Sequence, residues 1–129
     1  MDTNKLIEEF KEKWMSKAQE YIKTPEKIKN IIPQIQEYLS KKGLSEIKEN
    51  ILLLIDYMSD IVNGNYKDYS VKSLLFVVAA MIYLVSPIDV IPDFIFGIGL
   101  TDDVAVIVFV LREVSLELDK YNKWKLNNN

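Results

Sequence analysis

Four aspartates, Asp89, Asp93, Asp102 and Asp103, stand among Val, Ile, Phe and Leu in the segment SPIDVIPDFIFGIGLTDD, residues 86–103, and no basic residue occurs between Lys72 and Arg112. A carboxylate kept charged among apolar neighbours is costly unless it accepts hydrogen bonds or binds a cation. If the segment folds back so that the four converge, they form an oxygen-only site, suited to Mg, Mn or Ca. The spacing is not that of a helix-loop-helix calcium loop, which needs oxygen ligands at alternating positions and a closing glutamate. Two carboxylates sharing a proton could instead do general acid and base work without metal. Asp102 and Asp103 would point about 100° apart on a helix, so such a pair draws on Asp89 or Asp93 and one of the later two.

A structural account competes with both and is preferred. Ser86, Pro87 and Asp89 have the arrangement of a capping box, and Pro92-Asp93 repeats it on a smaller scale. Thr101, Asp102 and Asp103 are residues that the free amides and dipole of a helix start favour, and Gly97 and Gly99 permit a tight return of the chain.

Composition excludes most other chemistry. The chain of 129 residues has no Cys and no His, hence no thiol nucleophile, no disulfide, no imidazole base and no zinc or haem ligand of the usual kinds. A net charge of −3, and a single Arg (Arg112) among 16 basic residues, argue against nucleic acid, which is read largely by arginine. No glycine-rich phosphate loop and no Gly-x-Ser-x-Gly elbow occurs. The N-terminus is charged and amphipathic, so no secretory signal is expected and the reading is cytoplasmic.

The elements that would position the aspartates follow from periodicity. Leu6, Ile7, Phe10, Trp14, Ala18, Tyr21 and Ile22 predict an amphipathic helix over residues 3–23. Thr24 and Pro25 open a second, with Ile28, Ile31, Ile32, Ile35, Tyr38 and Leu39 on its stripe. Pro33 should kink or break it near Asn30 to Ile32, and Gly43 should stop it. A third helix is expected over about 45–62, from Ser45 to Gly64. Ser70 is the natural cap of the fourth, in which Leu74 to Val85 are twelve consecutive apolar residues. A helix without a polar face is central to a bundle or in contact with lipid. From Val71 to Val85 it rises about 22 Å, short of the roughly 30 Å of hydrocarbon in a bilayer, so burial in protein is preferred to a membrane span. Thr101 or Asp102 should cap a fifth helix through Val104, Ile107, Val108, Leu111 and Leu118 to near Tyr121, and residues 122–129 should fray.

The apolar helix followed by Tyr83, Ser86-Pro87, Asp89, Ile91-Pro92-Asp93, Gly99 and Asp102-Asp103 resembles the YkvA-like family, a bacterial domain of unknown function. The resemblance covers about residues 71–115 and departs at Phe96, where the family often has a second proline. It implies that Pro87, Asp89, Pro92, Asp93, Gly99, Asp102 and Asp103 act as one unit, and that the protein is membrane-associated. It brings no established activity.

The expectation is therefore an all-α single domain over residues 1–129. It is a compact bundle of about five helices, with amphipathic helices over 1–70, a hydrophobic central helix, and a Pro/Asp/Gly-rich turn before the last helix. The first functional reading is a non-catalytic protein acting by association with a membrane surface or an apolar helix of a partner, cytoplasmic and peripheral to, or shallowly embedded in, the inner membrane. The alternative is a divalent-metal site, hydrolytic in its fullest form, built from Asp89, Asp93, Asp102 and Asp103.

Overall fold

The computed structural model describes residues 3–42, 47–85 and 96–128, giving the helix path alone for Thr3, Leu6, Lys41, Lys42 and 96–103. The described residues are helical nearly throughout: α1 (Thr3–Glu9), a π-helical turn (Phe10–Trp14), α2 (Met15–Lys23), α3 (Pro25–Lys42), α4 (Lys48–Val62), α5 (Val71–Val85), α6 (Phe96–Glu113) and α7 (Ser115–Asn127). The fold is an all-α bundle, as its periodicity demands.

The first helix runs through the π turn without a break in direction of pattern. Phe10, Trp14 and Ala18 recur every four residues, a spacing that drifts about 40° per step around an α-helix of roughly 3.6 residues per turn. A wider turn absorbs that drift, and all three side chains are buried. Phe10 meets Tyr83 and Phe109 edge-on at 6.3 and 6.1 Å, and Trp14 meets Tyr83 at 5.6 Å.

α5 is the axis. It packs against α2, α3, α4 and α6, and every residue from Phe76 to Leu84 is buried. Its lack of a polar face is thus satisfied by protein on all sides. Ser70 caps it as expected: the Ser70 Oγ accepts the Ser73 amide at 3.2 Å, filling one of the free donors of the first turn. Gly64, at φ +80°, ends the preceding helix, a backbone conformation that glycine adopts without steric cost.

Three expectations are corrected. Pro33 does not break its helix, for α3 is continuous from Pro25 to Lys42 with Pro33 inside it. The proline is exposed while Ile28, Ile31, Ile35, Tyr38 and Leu39 are buried, so burial along one stripe outweighs the local cost of the ring. The helix that carries Thr101, Asp102 and Asp103 starts at Phe96. Phe96, Leu100, Val104, Ile107 and Leu111 extend the apolar spacing upstream, and Gly97 and Gly99 are helical rather than a return of the chain. The last helix is divided at Val114 (φ −109°, ψ 14°), and α7 continues to Asn127 instead of fraying from residue 122. Trp124 stacks on Tyr121 at 5.8 Å, and the Lys125 Nζ donates to Asp56 at 2.8 Å. Gly43, Ser45 and the stretch 86–95 lie outside the described residues.

Candidate functional site

Of the ten residues singled out in the acidic segment, Ser86, Pro87, Asp89 and Pro92-Asp93 lie outside the described residues. Gly97, Gly99, Thr101, Asp102 and Asp103 are on α6. Thr101, Asp102 and Asp103 are the sixth, seventh and eighth residues of that helix, beyond the first turn, where the amides are already engaged within the helix. The capping role expected of them is therefore excluded. Among the described residues no group of acidic side chains could hold a metal ion.

The carboxylate that the structure does bury is a different one. Glu117, on the first turn of α7, is 8% exposed. Its Oε2 accepts the Tyr57 hydroxyl at 2.6 Å and the Ser70 amide at 2.7 Å, and its Oε1 lies 3.8 Å from the Lys120 Nζ. One side chain thus ties α7 to α4 and to the start of α5. Beside it the Tyr121 hydroxyl donates to Asp60 Oδ2 at 2.5 Å. Tyr57, Tyr66 and Tyr121 are mutually in ring contact, with centroids 5.3 to 6.1 Å apart.

These surroundings hold protons in place. Burial first, then the bond to Glu117, push the Tyr57 hydroxyl far above the usual tyrosine range. Burial and the bond to Asp60 do the same to Tyr121. The Tyr66 hydroxyl is buried without a hydrogen-bond partner among the described residues. Burial and the charge of Glu117 raise it, with the Lys120 ammonium opposing. Both oxygens of Glu117 are occupied, so the cluster works as a clamp. The sequence does carry its signal: Glu117 falls three residues after Val114 and four before Tyr121, an acid on an apolar stripe.

The outer surface offers two other features. Between α1 and α6 a groove of about 680 Å³ is lined by Ile7, Ala105, Val108 and Phe109 together with Asn4, Glu8 and Arg112. On the first helix, Lys13 and Lys17 lie over the Trp14 ring at 5.1 and 5.5 Å, and Lys27 lies over Tyr21 at 5.5 Å. No described helix is long and apolar enough to cross a membrane.

Comparison with known proteins agrees with the residues that carried the resemblance. Residues 73–109 match the family described as Protein of unknown function (DUF1232). The chain is similar to a protein of Bacillus subtilis (strain 168) named uncharacterized membrane protein YkvA, 38% identical over 88 residues, which are 68% of this chain and 83% of that protein. It is also similar, 38% over 56 residues, to the E3 ubiquitin-protein ligase RNF170 of Xenopus laevis, a match that covers 43% of this chain and 22% of the ligase. No solved structure matches.

Proposed function

The chain belongs to the YkvA-like family of proteins of unknown function, and from that membership we propose that it works by association at a membrane surface, docking by the outside of its bundle. One observation carries this reading beyond the relative's name: α5, apolar on every side from Leu74 to Val85, is buried from Phe76 to Leu84 and packs against α2, α3, α4 and α6. Its hydrophobic surface is spent inside the protein. Inserting it into lipid would open the core and strand the apolar faces of four other helices, whereas docking through exposed side chains leaves the core intact. Peripheral docking of this kind draws on charge and on amphipathic side chains that reach the headgroup level.

Fractionation of cells producing the chain tests the proposal. The protein should sediment with membranes and be released by high salt or alkaline carbonate. Recovery wholly in the aqueous fraction contradicts association, and resistance to carbonate contradicts peripheral docking.

A further inference from the structure

Resting on the membrane-surface reading, we infer that Lys13, Lys17 and Lys27, set over the Trp14 and Tyr21 rings, form a docking face for anionic phospholipid headgroups.

Three observations meet there. The first is geometric. Trp14 and Tyr21 are seven residues apart, two turns of the first helix and on one stripe of it, with Lys13 and Lys17 over Trp14 and Lys27, from the first turn of α3, over Tyr21. The second is their lack of partners. Lys120 and Lys125, on α7, are held by Asp68, Glu117 and Asp56, but no carboxylate among the described residues lies within ion-pairing distance of Lys13, Lys17 or Lys27. Their ammonium groups are exposed, while Trp14 beneath two of them is buried and Tyr21 half-buried. The third is distribution. Nine of the 16 basic residues, against seven of the 19 acidic ones, fall within residues 1–42, so this stretch is net positive in a chain that is net negative overall.

Lysine stems lying along aromatic rings with their charges outward suit the membrane interface, where an apolar body and a charged tip face different media. The complementary surface is negative, and each basic residue brought close to an anionic leaflet strengthens binding about fivefold. Zwitterionic lipid supplies no such attraction.

The purified full chain is titrated with vesicles of phosphatidylcholine alone and with vesicles containing phosphatidylglycerol. Binding should require phosphatidylglycerol and weaken as salt is raised, because the charges are exposed to screening. Lys13→Gln, Lys17→Gln and Lys27→Gln combined should lower the partition coefficient about 100-fold, with the melting temperature unchanged. Lys67→Gln, Lys72→Gln and Lys123→Gln combined, an equal loss of charge at exposed positions outside residues 1–42, should lower it by less than about fivefold. Equal losses in the two triple variants, or equal binding to phosphatidylcholine, overturn the docking face and leave surface association standing. Binding to no vesicle overturns both, and retention on an acidic polypeptide without vesicle binding assigns the lysines to a protein partner instead.

Discussion

The Tyr57 hydroxyl and the Glu117 carboxylate meet at 2.6 Å across sixty residues of chain, and the same carboxylate oxygen takes the Ser70 amide. A single acid therefore fixes where α7 lies relative to both α4 and the start of the central helix. Removing one partner of such a bond exposes the asymmetry of buried polar groups. The bond contributes little net, but an orphaned donor bears its full desolvation cost.

Glu117→Ala should accordingly cost about 2–4 kcal/mol, since it orphans a hydroxyl and an amide together. Glu117→Gln keeps an acceptor and should cost less than half as much. Urea unfolding of the two variants measures the difference, and equal losses would show that the oxygen itself is unimportant.

Alkaline pH attacks the same cluster. Tyr57 and Tyr121 ionise in the unfolded chain near the ordinary value of 10.0, while burial and their carboxylate partners raise both in the folded state. Above pH 10 the folded state then binds more protons than the unfolded one, so stability is fully present below that pH and falls as pH rises beyond it. Tyr57→Phe should lower stability at pH 7 and make its decline above pH 10 shallower. Tyrosinate absorbance followed alongside circular dichroism should show these two rings ionising only as the helices melt.

Pro33 lies inside α3 and faces solvent. Its ring removes one helical hydrogen bond and crowds the preceding turn, at about 3 kcal/mol, partly offset by a stiffer unfolded chain. Pro33→Ala should raise stability by about 1–3 kcal/mol, read as a higher melting temperature. A lower one would mean that the ring has a packing role.

Asp102 and Asp103 lie past the first turn of α6, so Asp102→Asn and Asp103→Asn forfeit no cap and should each change stability by less than about 0.5 kcal/mol in EDTA. Melts in Mg, Mn or Ca separate this from the metal reading. An ion-specific rise lost in both variants makes the two aspartates ligands.

The sequence displays the fold where one strong signal acts alone. Twelve apolar residues in a row make a helix without a polar face, central to a bundle or in contact with lipid, and α5 is the central one. Ser70 before Val71 is a cap, and its Oγ serves as one. The failures come where tertiary packing outweighs local preference. Pro33 and the pair Gly97 and Gly99 look like breaks, but each interrupts a stripe whose apolar spacing continues on both sides, and the helix continues with it. The tail reads as polar and frayed because the partners of Trp124 and Lys125, namely Tyr66 and Asp56, are far away in the chain. The clamp at Glu117 was hidden for the same reason. Its acid is visible on the stripe, but its two donors come from α4 and from the residue before α5. The lysines over Trp14 and Tyr21 are legible as residues, while their freedom from carboxylates is a property of the fold.

The central claim is association with a bilayer by a bundle that stays closed, and flotation of the detergent-free purified chain tests it most directly. Mixed with phosphatidylglycerol-containing vesicles under a density gradient, the protein should rise with the lipid at low salt, return to the aqueous layer at high salt, and keep its helical spectrum in both. Protein that remains at the bottom of the gradient at every salt concentration, or that floats irreversibly, contradicts the account.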